Sequence, residues 1–168
     1  LAPTLAVLLV TAWMPDLPVV VAIAFVLLVG LVVGGVNGTF SVKLGVNPFL
    51  VTLATLLIMR GLVIYLIPEG VYGLPAELTY LGGARVGVIP VAVLVLLLVY
   101  AIGHVVVNRT AFGKSIYAIG NNERAAYIAG INVDRVKMIA FVLAGVCAAI
   151  GGLLEVGRLD SVVADLGP

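Results

Sequence analysis

NRTAFGKSIYAIGNNERAAYIAGINVDRVK, residues 108–137, is the longest polar interval in a 168-residue chain that is 63% hydrophobic. It carries Arg109, Lys114, Arg124, Arg135 and Lys137, five of the nine Lys and Arg residues, against Glu123 and Asp134. Apolar runs flank it on both sides. It therefore reads as a cytoplasmic loop between two membrane helices, with a short helix inside it that meets a partner protein.

Outward from this loop, the composition names the solvent. Only 10% of residues are charged, and mean hydropathy is +1.29. A soluble domain carries about 25% charged residues, so the chain is built for a lipid bilayer. A net charge of +1 gives no ground for nucleic-acid binding. Cys147 is the one cysteine, which excludes an intrachain disulfide and a Cys-rich metal site.

Bilayer hydrocarbon is about 30 Å thick and needs about 20 apolar helical residues. Runs 17–36, 48–67, 88–107 and 136–154 meet that length, and 1–14 reads as a shorter, truncated fifth. Every backbone N–H and C=O inside hydrocarbon must be paired internally, so the spans are helices. The expected fold is an all-α polytopic membrane bundle of four to five transmembrane helices plus a short cytoplasmic helix, one domain over 1–168. The chain opens inside an apolar run without an initiator Met or a basic leader. It is therefore expected to be a piece of a longer protein, incomplete at both ends.

Turn residues separate the runs: Pro15-Asp16, then Asn37-Gly38 through Asn47-Pro48, then Pro68-Glu69-Gly70 through Val88. Pro90 is expected in the first turn of the next span, where its missing N–H costs little. Loop 37–47 holds Lys43 and no acid, and loop 108–135 is basic. Loop 68–87 sets Glu69 and Glu77 against Arg85, and the tail sets Glu155, Asp160 and Asp165 against Arg158. By the positive-inside rule, loops 37–47 and 108–135 are cytoplasmic and the others lie outside.

Within the basic loop, Asn122 can cap a helix whose first turn holds Glu123, a favourable place for an acid. Ala125, Ala126, Tyr127, Ile128 and Ala129 continue it, and Gly130 suits a left-handed stop. About eight residues give roughly 12 Å of helix, which is marginal alone. Tyr127 and Ile128 need a surface: the chain's own membrane face, or a groove in a cytosolic partner. Asn132 can cap the next helix, which is expected to enter the bilayer near Val136.

The stretch FGKSIYAIGNNERAAYIAGINVDRVKMIAFVLAGVCAAIGGLLEVGRL (112–159) resembles permease subunits of ATP-binding-cassette importers for simple sugars, of the ribose/xylose/galactose type. So do GLVVGGVNGTFSVKLGVNPFLVTLATLLIMRGL (30–62) and LIPEGVYGLPAELTYLG (66–82). Branched-chain amino-acid permeases are more distant kin. The resemblance implies a coupling helix carried by Asn121, Asn122, Glu123, Ala125, Ala126 and Gly130, with small alanines that seat closely against a cytosolic ATPase. It implies alternating access driven by that ATPase, an extracytoplasmic solute-binding protein that lands on loop 68–87, and a second permease copy. Relatives of this kind run to about twice the length, in the inner membrane.

Residues 113–115, Gly-Lys-Ser, imitate the end of a phosphate-binding loop, but Asn108 occupies the position where the earlier glycine belongs. ATP chemistry is therefore assigned to a partner. No catalytic residue, cofactor or metal ligand set is read here. Arg60 in the 48–67 span either snorkels outward or faces the bundle interior, at a cost of roughly 2.5–3.5 kcal/mol on insertion scales. Thr52 and Thr55 are candidates for pore-lining or structural roles, with bonding to their own helix the plainer reading. His104 reads as interfacial and Cys147 as a small buried hydrophobe.

Gly30, Gly34 and Gly38 form small-xxx-small steps suited to tight helix packing or a dimer seam, and Ala144, Cys147 and Gly151 offer a similar stripe. An ion-driven transporter or channel would want acids within the spans, and runs 17–36, 48–67, 88–107 and 136–154 hold none. That alternative, a branched-chain amino-acid-type permease and a non-transporting scaffold are the rival readings.

Overall fold

The computed structural model describes residues 18–66, 71–72, 83–86, 89–159 and 161–162. The expected run 1–14, the turn at Pro15-Asp16, Glu69, Glu77, Asp160 and Asp165 lie outside the described residues. The helices are α1 (Val19–Gly38), α2 (Pro48–Leu66), α3 (Val91–Arg109), α4 (Ala111–Asn121), α5 (Glu123–Ile128) and α6 (Val133–Leu159). Among the described residues, four segments are long and apolar enough to cross a membrane: Val20–Lys43, Pro48–Leu66, Val91–Arg109 and Val133–Arg158. The chain is a polytopic α-helical membrane protein, as its composition requires.

α1 and α6 form the central pair. On α1 the buried positions are Ala22, Val26, Gly30, Gly34 and Gly38, spaced four apart. On α6 the facing positions Phe141, Gly145 and Ala149 are also four apart. A Cβ added at Gly30 would stand 2.6 Å from the Ala149 Cβ and 2.6 Å from the Gly145 carbonyl oxygen. One at Gly34 would stand 2.5 Å from the Phe141 oxygen, and one at Gly38 would stand 2.7 Å from the Met138 sulfur. The contacts run in opposite directions along the two helices, so the pair is antiparallel. Lipid tails are as apolar as leucine, so close backbone approach, with the dispersion contacts it allows, is what holds such a pair together.

Four sequence expectations change here. Asn37-Gly38 is not a break: helix continues through Gly38 and then widens into a π-turn, Thr39–Lys43. Gly38 is held in helical geometry at φ −61° and ψ −41° because its bare Cα faces Met138 and Phe141. Thr39 Oγ1 donates to the Gly35 carbonyl at 2.8 Å, and the actual turn comes at Gly45, with φ +67°. The stripe on α6 is also different. Ala144, Cys147 and Gly151 face away from α1, a Cβ added at Gly151 would meet no other part of the protein within 4 Å, and Cys147 is exposed rather than buried. Pro90 is the cap before α3 rather than a member of its first turn.

α2 starts at Pro48, and Asn47 Oδ1 accepts from the Phe49 N–H at 2.9 Å. Thr55 Oγ1 donates across to Asn37 Oδ1 on α1 at 2.6 Å, while Thr52 bonds back to the Pro48 and Phe49 carbonyls at 3.0 and 3.1 Å. Thr55 is thus a cross-helix tie, not a back-bonded residue.

Two short antiparallel ladders complete the described residues. Val71–Tyr72 pairs with Ser161–Val162, and Arg85–Val86 pairs with Ile89–Pro90. The first ladder joins the segment after α2 to the segment after α6, so those connections share one end of the bundle. At the other end, Lys43 shares a cleft with Asp134 and Arg135. The alternation read from loop charges therefore has the matching arrangement in three dimensions.

Candidate functional site

The basic loop folds as two helices, not one. Thr110 Oγ1 donates to the Val106 carbonyl at 2.5 Å and accepts from the Gly113 N–H at 3.3 Å, which ends α3 and caps α4. Gly113 sits so close to the end of α3 that an added Cβ would collide with the Val107 backbone. Phe112 and Ile116 of α4 line an apolar groove of about 380 Å³ with Val99, Val106, Leu143 and Cys147. The sequence reading missed this helix. Its signal was the Thr110 cap followed by apolar residues at 112, 116 and 119, the spacing of one helical face.

Asn122 is extended, at φ −158° and ψ 105°, and serves two helices. Its N–H donates to the Ala118 carbonyl at 3.1 Å, closing α4. Its Oδ1 accepts from the Ala125 N–H at 3.0 Å, opening α5. Asn121 is the exposed last residue of α4. α5 then stops as the glycine predicts. Gly130 takes φ +84°, the Ile131 N–H reaches the Ala126 carbonyl at 3.0 Å, and the Gly130 N–H reaches the Tyr127 carbonyl at 3.0 Å. This is a Schellman stop, in which carbonyls left over at the helix end find donors. Asn132 Oδ1 accepts from the Arg135 N–H at 3.0 Å and caps α6, which begins at Val133, ahead of the expected entry near Val136.

The side chains of α5 divide sharply. Ala126 is 4% exposed and packs inward, with Val133 buried beside it at the start of α6. Tyr127 and Ile128 are 73% and 77% exposed. Glu123 and Ala125 are exposed as well. Glu123 Oε1 accepts from Lys137 Nζ at 2.7 Å, which ties the first turn of α5 to α6. An open cleft of about 540 Å³ runs below, lined by Tyr127, Ile128, Gly130, Ile131, Asn132, Val133 and Asp134. The expectation that Ala126 seats against a partner therefore changes: its methyl group is used inside the chain, and an aromatic and an aliphatic side chain are what the helix presents.

The other candidate residues lie elsewhere. Thr52, Thr55 and Arg60 are on α2, with Arg60 half-buried. His104 is exposed on α3, its Nδ1 3.1 Å from Asn108 Nδ2. Among the described residues no group of His, Cys, Asp and Glu could hold a metal ion. What the arrangement offers is a short, rigidly capped helix with an apolar tip.

The model of the family described as branched-chain amino acid transport system / permease component matches residues 1–168. The chain is similar to the ribose import permease protein of Haemophilus influenzae, 33% identical over 151 residues, covering 87% of this chain and 47% of the relative. It is 33% identical to the galactose/methyl galactoside import permease protein of Escherichia coli over 165 residues, 92% of this chain and 48% of the relative. It is 39% identical to the L-arabinose transport system permease protein of Escherichia coli over 128 residues, 75% of this chain and 39% of the relative. The chain spans about half the length of the curated relatives it matches, or somewhat less. No solved structure matches it.

Proposed function

This chain belongs to the branched-chain amino acid transport system / permease component family, and we propose on that footing that it is membrane-spanning machinery of an ATP-driven importer that carries a monosaccharide. The substrate class rests on the relatives, whose names specify ribose, galactose and arabinose. They favour sugar over a branched-chain amino acid, although the family description mentions only the latter. An ion-driven carrier fits less well, because among the described residues Glu155, the acid nearest the interior of a span, is exposed in the last turns of α6.

In this proposal α5 is the coupling helix. The observation that carries it is the exposed pair Tyr127 and Ile128 on a helix capped at both ends. A six-residue helix is far below the length that is stable alone, yet here the Asn122 cap, the Gly130 stop and the Glu123–Lys137 bridge hold it in place. An ordered helix with an apolar tip is the form in which a helix enters a groove. The ATPase is a separate cytosolic subunit, a solute-binding protein delivers sugar at the opposite face, and a second permease copy completes the pore. Asn121, Asn122, Glu123, Ala125, Ala126 and Gly130 then shape and hold the helix, while Tyr127 and Ile128 touch the partner.

Movement of α5 passes to α6 through the Glu123–Lys137 bridge and the short link 129–132. α6 carries α1 with it, because the glycine contacts leave no room for sliding. Nucleotide at one end and loaded binding protein at the other thus bias one packed element with two arrangements. Reconstitution with the cognate ATPase tests the proposal. Sugar-stimulated ATP hydrolysis should fall at least tenfold in the double variant Tyr127→Ala, Ile128→Ala while the chain stays folded. Full stimulation in that variant would remove α5 from the pathway.

A further inference from the structure

We propose that the cleft between the end of the α1 π-turn and the start of α6 is a binding site for the headgroup of an anionic phospholipid. This goes beyond the transport reading and needs only that the chain sits in a bilayer. The cleft measures about 310 Å³ and is lined by Val42, Lys43, Asp134, Arg135, Met138 and Ile139. It is amphiphilic along its depth. Val42, Met138 and Ile139 make an apolar wall, and Lys43 and Arg135 bring cations from two different helices to the same opening.

Its level in the membrane follows from the chain. The spans Val20–Lys43 and Val133–Arg158 both end at this cleft, so it straddles the boundary where hydrocarbon meets water. Phe40 on the π-turn and Leu44 just after it are exposed, at 46% and 64%. Lys43 and Arg135 are exposed, and no carboxylate of the described residues forms an ion pair with either. Lys137, the next cation along α6, is engaged by Glu123 instead. Asp134 also lines the cleft, so the net charge there is positive by one unit.

A phosphodiester suits this set. Arg135 can present a planar fork to two phosphate oxygens, and Lys43 a compact charge to the same group. A free phosphate ion would use the cations but leave the apolar wall wet, whereas a lipid fills both halves with its headgroup and the upper part of an acyl chain. Basic pockets between membrane helices on the cytoplasmic side are the recurrent form of such sites. The occupant would pin the end of α1 to the start of α6 at the base of the helix that carries α5.

The test places the intact chain in phosphatidylcholine nanodiscs doped with spin-labelled phosphatidylglycerol and measures the immobilised fraction of label by electron paramagnetic resonance. Spin-labelled phosphatidylcholine serves as the reference. Selective immobilisation of phosphatidylglycerol is expected. Lys43→Gln or Arg135→Gln should each weaken it roughly fivefold, the effect of one cation near a membrane surface. Lys43→Arg should retain it, and Lys114→Gln, a cation on α4 outside the cleft, should leave it unchanged. Equal immobilisation of both lipids would overturn the proposal. So would equal loss in Lys114→Gln, which means general surface attraction, or displacement of the label by inorganic phosphate, which means a free-anion site. Retained immobilisation in Lys43→Gln and Arg135→Gln with loss of ATPase co-purification would assign the cations to a protein partner and overturn it as well.

Discussion

Glu123 and Lys137 are separated by fourteen positions in sequence and joined by a 2.7 Å ion pair in space. The bond connects the first turn of α5 to α6, beyond the two caps that already define each helix. Lys137 is 39% and Glu123 58% exposed, so the pair contributes little to overall stability, about 0.2–1 kcal/mol. Its value is positional. Glu123→Lys should lower sugar-stimulated ATP hydrolysis severalfold without moving the unfolding temperature by more than a degree or two. The exchange Glu123→Lys with Lys137→Glu should restore part of the loss, and the restoration should shrink at high salt. Coupling assays across a salt series provide the check.

Adjacent residues on α5 should fail in different ways. Ala126 is buried within the chain and Tyr127 stands outside it. Ala126→Leu overfills a packed site and should destabilise by about 1–3 kcal/mol. Tyr127→Ala should leave stability unchanged and weaken co-purification of the ATPase. Thermal unfolding in detergent and pull-down from membranes, measured on both variants, separate the two effects.

The α1–α6 pair predicts a contrast among glycines. Gly30→Ala and Gly34→Ala place a methyl group within 2.6 Å and 2.5 Å of backbone oxygen on α6, and should cost at least about 1–3 kcal/mol. Gly35→Ala and Gly151→Ala meet nothing within 4 Å and should be neutral or stabilising, since alanine is the better helix former by about 1 kcal/mol. Folded yield and unfolding temperature report the difference.

Thr55→Val removes the bond to Asn37 and should cost on the order of 0.6 kcal/mol, the average for a hydrogen bond between membrane helices. Thr52→Val loses only a bond to its own helix and should cost less. Ser41 is the contrasting case. Among the described residues its hydroxyl is a buried side-chain oxygen with no hydrogen-bond partner. Ser41→Ala relieves an unmet group worth about 1–3 kcal/mol and should raise the unfolding temperature.

The spans were legible because hydropathy over twenty residues is a strong, local signal. Asn122, Gly130 and Asn132 were legible because caps and stops obey local geometry. Gly38 misled because a glycine punctuates a turn and permits close packing equally well, and only Met138 and Phe141, a hundred residues on, decide which. The same holds for α6. Two of its faces carry small residues, and the antiparallel register with α1 selects Gly145 and Ala149 over Ala144, Cys147 and Gly151. α4 was hidden by the polar composition of the loop, which outweighed the weaker periodicity of Phe112, Ile116 and Ile119. The Asn37–Thr55 bond and the Glu123–Lys137 bridge are long-range pairings with no local mark.

A photo-crosslinking amino acid at position 127, in cells that express the whole importer, tests the central claim most directly. The crosslinked product should be the cytosolic ATPase, formed in native membranes and lost when the ATPase gene is deleted. Crosslinks confined to lipid or to the permease itself, or a product with the extracytoplasmic solute-binding protein, would contradict it.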